Sequence, residues 1–183
     1  MSELSFRLSR EGDIPELTRL WREVFGDDKD FISEFFRRLW RPEYCRVAEA
    51  DGKLAAMGFC LPGPVANGLS CAYIYAMATA EPYRGRCAAQ RIGLELIRGA
   101  FDSGVHLVAT LPAEESLCRW YESRLGMAPL PQRRARRGIS PELARVFPVL
   151  RRALTGNPGH ALGHPRPRSG YRTAARPGLG MLL

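Results

Sequence analysis

The chain has 183 residues, of which 45% are hydrophobic and 25% charged, the composition of one folded domain with an appended segment rather than of two domains. No apolar run reaches the roughly 20 residues of a membrane-spanning helix, and the opening, Met1 to Arg10, lacks the apolar core of a signal peptide. A cytoplasmic protein with no membrane partner is expected. The formal charge of +8 is unevenly spread: residues 128–183 hold 11 arginines and one acid, Glu142, while the residues before them carry 16 basic and 18 acidic side chains. The basic character therefore belongs to the C-terminal segment and says nothing about what the folded part binds.

Five cysteines (Cys45, Cys60, Cys71, Cys87 and Cys118) are scattered, odd in number and never in a Cys-x-x-Cys pair. That spacing speaks against a disulfide framework and against a zinc site. The three histidines, His106, His160 and His164, form no ligand cluster, so no metal is expected.

In chain order, Leu4 to Leu8 alternates as a short strand. Asp13-Ile14-Pro15-Glu16 reads as a capping box opening a helix that Gly26 stops. A second amphipathic helix begins after Asp28 or Asp30, with Phe31, Ile32, Phe35, Phe36, Leu39 and Trp40 on one face, and Pro42 ends it. Cys45 to Ala50 and Leu54 to Leu61 form two strands joined by an Asp51-Gly52 hairpin turn, and Pro62-Gly63-Pro64 breaks the second. Ser70 to Thr79, dense in aromatic and apolar residues, is a central strand. A helix spans about Arg86 to Phe101, Val105 to Leu111 is a buried strand, and Ala113 to Leu125 is a last helix closed by Gly126. Strand–helix–strand over 70–111 implies a parallel pair within an otherwise antiparallel sheet. The fold class is α/β (α+β), a mixed, mostly antiparallel central sheet flanked by helices, with an atypical C-terminal tail.

Chemistry concentrates in Tyr83-Arg84-Gly85-Arg86-Cys87-Ala88-Ala89-Gln90, between the central strand and a helix. Small residues at a helix start let backbone amides approach a ligand, and the unpaired amides with the positive end of the helix dipole favour an anion such as a pyrophosphate. Arg84 or Arg86 would add charge-assisted contacts. The plainer alternative is a tight strand–helix turn with solvated arginines.

This stretch resembles the GNAT superfamily of N-acetyltransferases, whose cofactor motif Gln/Arg-x-x-Gly-x-Gly/Ala is matched by Arg84-Gly85-Arg86-Cys87-Ala88-Ala89. Tyr75-Ala76-Met77-Ala78-Thr79 resembles the family's fourth strand. Trp120-Tyr121-Glu122-Ser123-Arg124-Leu125-Gly126-Met127 is similar to its Tyr-Glu-x-Leu-Gly-Phe helix end, with one extra residue. The resemblance implies that acetyl-CoA is the co-substrate. Met77, Ala78 and Thr79 would offer backbone groups to its pantetheine arm, and Gly85 through Gln90 would hold its pyrophosphate. It further implies that Tyr121 protonates the leaving thiolate while an amine of a small molecule or peptide attacks the thioester. For Tyr121 the alternative is core packing of an aromatic pair on an amphipathic helix. Glu81 follows the fourth strand and could serve as the base, the plainer alternative being a solvated turn acid, while Glu114 and Glu115 suit the start of the last helix through its dipole.

Two departures stand out. Cys87 replaces the motif's central glycine, and residues 128–183 offer no convincing strand pair beyond an attempt at Arg133 to Ile139. The domain reading is therefore an acetyltransferase-like domain over 1–127, a poorly matching C-terminal part over 128–154 with one short helix from Pro141 to Leu154, and a disordered Arg/Pro/Gly-rich tail over 155–183. The strand from Val105 would then lack a neighbour and present an edge, which a second copy in a homodimer would cover. The acids Asp27, Asp28, Asp30 and Glu34 would attract a cationic acceptor or, on the preferred reading, form a solvated helix-capping loop. A rival reading is a binding protein on the same fold whose arginine tail contacts nucleic acid by counterion release, although Phe147 and Tyr171 are its few stacking groups.

Overall fold

The computed structural model describes residues 3–66, 68–129 and 181–182, and the expectations for the helix at 141–154, the strand attempt at 133–139 and most of the tail lie outside them. The chain divides into two compact units, Met1–Val108 and Ala109–Leu183.

The first unit opens with β1 (Ser5–Leu8), followed by α1 (Ile14–Phe25) and α2 (Lys29–Arg38). Gly26 ends α1 at φ 72°, a left-handed residue that only glycine adopts without cost. Asp28 caps α2 by accepting the Phe31 N–H at 2.7 Å. β2 (Cys45–Ala50) turns through Asp51 (φ 52°) and Gly52 (φ 73°) into β3 (Lys53–Ala66), the two left-handed residues of a type I′ hairpin. β4 (Leu69–Thr79) returns antiparallel, α3 (Ala88–Asp102) crosses over, and β5 (Leu107–Thr110) begins beside the start of β4, where the His106 N–H donates to the Ser70 carbonyl at 3.0 Å. Start meeting start is what a helical crossover between parallel strands requires. The order β1-β2-β3-β4-β5 gives the mixed, mostly antiparallel sheet expected from the sequence.

Three ladder irregularities shape this sheet. Ala55 is an extra residue of β3 against β2, and its carbonyl accepts the Ala80 N–H at 2.9 Å, tying down the end of β4. A second lies between Pro62 and Val65, so the Pro62-Gly63-Pro64 run kinks β3 and does not end it as expected. A Cβ on Gly63 would sit 2.9 Å from the Cys71 carbonyl oxygen, which explains why glycine occupies that close approach. The third, in β4 at Ala76–Met77, bears on the site.

One face of the sheet packs on α3 through Ala48, Ala56, Ala88, Ile92 and Leu96. The other meets α1 and α2 through Trp21, Phe35 and Phe59, all fully buried, with ring centroids 4.7–5.7 Å apart. No helix among the described residues is long and apolar enough to cross a membrane.

The second unit contains the end of β5, α4 (Glu115–Leu125), β6 (Ala128–Pro129) and β7 (Met181–Leu182). Gly126 stops α4 at φ 72°. Ala109 and Thr110 pair antiparallel with Leu182 and Met181, and β7 pairs on its other side with β6. The strand neighbour expected to be missing is thus supplied by two residues near the end of the chain, because an open strand edge is satisfied by any segment able to extend beside it.

The expected capping box at Asp13 is not formed. Asp13 makes no side-chain cap to α1, and Glu16 instead pairs with Arg19 at 3.1 Å. The reason is a stronger partner: Arg7 grips the Asp13 carboxylate with two bonds of 2.6 and 3.0 Å, and the Arg10 N–H adds one of 2.8 Å. Arg7 also reaches Glu49 at 2.7 Å and so fastens β1, the turn before α1 and β2 together. Burial pushes the Asp13 pKa up, but the Arg7 and Arg10 hydrogen bonds outweigh it and hold the carboxyl below its ordinary 3.8. A folded-state pKa below the unfolded one gives stability that is present above about pH 4 and lost as pH falls further. Asp13→Asn should cost about 1–3 kcal/mol at neutral pH and flatten the acid limb of a urea-denaturation pH series; an unchanged limb would exclude the role.

Candidate functional site

β4 takes three steps from Tyr75 to Ala78 while β3 takes two from Phe59 to Met57, so Ala76 and Met77 together face Gly58. Ala76 has φ 47°, a left-handed conformation that costs a non-glycine residue roughly 1–2 kcal/mol. A β-bulge of this kind leaves one residue's backbone groups out of the ladder and re-aims the side chains after it. Met77 accordingly lies over Gly58, where a Cβ would come within 2.4 Å of the Met77 sulfur and 2.9 Å of Ile92 Cγ2. Glycine at 58 lets the bulged strand and α3 close on each other.

Beyond Thr79 the chain makes a short 3-10 turn, Glu81–Tyr83, and a corner from Arg84 to Cys87 before α3 begins. Gly85 has φ 74° with nothing within 4 Å of a built Cβ, and Cys87 has φ 59°. The first helical bond runs from the Arg91 N–H to the Cys87 carbonyl at 3.0 Å, and no Cys87 side-chain bond caps the helix. The amides of Ala88 and Ala89 therefore have no intrahelical acceptor and lie at the positive end of the dipole. The Arg84 Nε–H donates to the Thr79 carbonyl at 3.3 Å, and the Arg86 guanidinium lies 5.5 Å from the Tyr83 ring centroid. Glu81, Arg84, Gly85 and Cys87 are exposed, whereas Ala88 is buried against the sheet.

The structure thus brings the expected residues Met77, Ala78, Thr79 and Arg84 through Gln90 into one strand–corner–helix segment of the first unit. Cys87 is exposed and its backbone is left-handed, a conformation that favours glycine. Tyr121 belongs to the second unit. It is buried on α4, its hydroxyl shares a hydrogen bond with the Thr110 side chain, and its ring meets Trp120 edge-on at 5.2 Å. Burial raises the Tyr121 pKa and the Thr110 bond offsets part of that rise. The bulge at Ala76 escapes sequence reasoning, because an alanine in a left-handed conformation leaves no compositional mark.

The acids of the α1–α2 elbow separate by partner. Asp28 is a cap, Glu34 pairs with Arg37 and Arg38, and Asp30 is exposed, as a solvated capping loop would have it. Asp27 differs: it is half-buried and accepts the Trp21 indole N–H at 2.8 Å.

Residues 5–124 match the family model described as "Acetyltransferase (GNAT) domain". No curated protein matches the sequence. Among solved structures, a GCN5-related N-acetyltransferase from Kribbella flavida aligns with TM-score 0.58 at 17% identity, covering 70% of this chain and 33% of that one. The GNAT family N-acetyltransferase YhbS from Escherichia coli, solved with CoA, aligns with TM-score 0.58 at 21% identity over 70% of each chain. The aminoglycoside N-acetyltransferase AAC(6')-Iy, also solved with CoA, aligns with TM-score 0.59 at 15% identity, covering 69% of this chain and 88% of that one. The chain spans about a third of the length of the first structures it resembles. At these identities the likeness establishes the fold.

Replacing Cys87 by glycine removes the strain of a side chain at positive φ, a relief of roughly 1 kcal/mol partly offset by glycine's freedom in the unfolded chain. C87G should leave thermal stability unchanged or slightly raised. A clear loss of stability would show that the thiol makes a contact the fold needs.

Proposed function

The chain belongs to the acetyltransferase (GNAT) domain family, and from that premise we propose that it transfers an acetyl group from acetyl-CoA to a primary amine of a small molecule or peptide. The observation that carries this reading is the exposed left-handed corner at Gly85–Cys87, which opens α3 directly after a bulged central strand. A corner without side-chain obstruction at Gly85, with helix-start amides behind it, suits a diphosphate. Relatives of the same fold solved with CoA support that choice.

On this reading Arg84 and Arg86 flank the diphosphate, and Met77, Ala78 and Thr79 present backbone groups to the pantetheine arm. The unladdered backbone at Ala76–Met77 polarises the thioester carbonyl, where negative charge develops as the amine adds. The amine nitrogen forms the new C–N bond and the C–S bond breaks with its electron pair on sulfur. Tyr121 supplies the proton to that sulfur, and water or a base takes the proton lost by nitrogen. Burial suits Tyr121 to this role by keeping its hydroxyl protonated. A cytoplasmic setting belongs to the same proposal.

Titration calorimetry of the full chain with acetyl-CoA should show micromolar binding, and C87G should bind at least as tightly. Absence of heat up to millimolar acetyl-CoA would turn the assignment toward a binding module on this fold. In a thiol-release assay with an accepted amine, Tyr121→Phe should lower kcat by about a hundredfold with little change in KM for acetyl-CoA. Because the Tyr121 pKa is raised above its ordinary 10.0, this group should impose no alkaline fall in kcat below about pH 10. A tyrosine-dependent fall near pH 8, absent in Y121F, would contradict the assignment.

A further inference from the structure

α3 turns two unlike faces outward and inward. Ala88, Ile92 and Leu96 pack against the sheet, and Ile97 and Ala100 are buried beside them. The opposite face carries a stripe of charge, Arg91, Glu95, Arg98 and Asp102, at helical spacing. Along one edge of that stripe stand Leu94, 43% exposed, and Phe101, 39% exposed. They lie two turns apart and are the pair that shares a helix among the large apolar side chains left exposed in the described residues. On the other edge Gly99 is exposed, with nothing within 4 Å of a built Cβ. Glycine is a poor helix former, and no contact among the described residues calls for it there.

The charges alternate in sign along the helix, from Arg91 through Glu95 and Arg98 to Asp102. Reversed, the same series is its own complement. A second α3 laid antiparallel therefore sets Arg91 opposite Asp102 and Glu95 opposite Arg98, and a twofold axis makes each pair twice. A parallel copy in register would set like against like. In the antiparallel arrangement Leu94 stands about 3 Å along the axis from the Phe101 of the second copy, on the same edge. Gly99 leaves room for the approach. Within one chain Glu95 is held by Arg91 and Arg46, each at 3.3 Å, whereas Arg98 and Asp102 form no ion pair among the described residues. The antiparallel copy gives each of these two a partner of opposite sign.

We propose that this face of α3 binds a second copy of the chain, with two α3 helices packed antiparallel across a twofold axis. Leu94 and Phe101 supply the apolar contact, and the alternating charges fix its direction. The edge of β5, where a second copy was expected from the sequence, is occupied by β7. The association does not depend on the acetyl-transfer reading.

The test is sedimentation velocity of the full chain over a concentration series. One helix pair buries less than the roughly 1,600 Å² of a standard interface, so a monomer–dimer equilibrium in the tens of micromolar is expected. L94E should weaken it at least about tenfold, while L8E, at the equally exposed Leu8 of β1, should leave it unchanged. R91E and D102R should each weaken it about threefold to tenfold, because each sets like charges together twice, and the double variant R91E/D102R should restore it to within about twofold. A chain that stays monomeric at millimolar concentration overturns the proposal. A dimer left intact by L94E with native circular dichroism overturns it too, as does a double variant no stronger than the single ones. The charge cycle decides the matter even where L94E fails to fold, since both of its positions are exposed. Titration with acetyl-CoA is read separately, and neither result bears on the other.

Discussion

The bulge of β4 opposite Gly58 is the constraint on which the rest of the first unit depends. An unbroken antiparallel ladder would keep strict alternation from Tyr73 through Thr79. The extra residue at Ala76 interrupts that alternation, so Tyr75 faces Phe59, Trp21 and Phe35 while Met77 is drawn over Gly58 toward Ile92 and Leu96 of α3. Ladder hydrogen bonds forgone at one residue cost roughly 1 kcal/mol each. The packing of Met77, Ile92 and Leu96 between strand and helix offsets that cost, and Gly58 is what allows the approach.

Strain and site coincide along the chain. Among the described residues, three other than glycine have positive φ: Asp51 in the hairpin turn, Ala76 in the bulge and Cys87 before α3. Asp51 is a residue type that tolerates this conformation at a tight turn. Ala76 and Cys87 have no such excuse in their side chains, and both fall on the segment proposed above to hold the acetyl donor. Strained backbone persists only where the surroundings over-determine it. At Ala76 the α3 packing does so; at Cys87 the Arg91–Cys87 bond and the buried Ala88 do.

Most of this architecture is legible in the sequence because its signals are local. Gly26, Gly126 and Asp51-Gly52 mark stops and turns through backbone freedom alone, and Asp28 marks a helix start through one side-chain bond. Besides the bulge at Ala76, three things are not legible. The rivalry for Asp13 is hidden because Arg7, its actual partner, lies on another element whose approach depends on the sheet. The passage of β3 through Pro62-Gly63-Pro64 depends on the space Gly63 leaves for the Cys71 carbonyl, again a cross-strand fact. The neighbour of β5 comes from residues 181–182, so distant in sequence that no window along the chain connects them.

The elbow acids show why composition alone does not separate a site from a solvated loop. Asp27, Asp28, Asp30 and Glu34 read as one cluster of negative charge, and four exposed carboxylates in water are screened and individually worth little. Folding assigns each a different fate: Asp28 closes a helix end, Glu34 is neutralised by two arginines, and Asp30 stays in solvent. Asp27 alone is carried inward by the turn at Gly26 and fixed by an indole that neutralises no charge. The sheet's two faces then differ in kind. The α3 face closes on small and aliphatic side chains, whereas the α1–α2 face packs aromatic rings around Trp21, whose indole N–H donates to the Asp27 carboxylate.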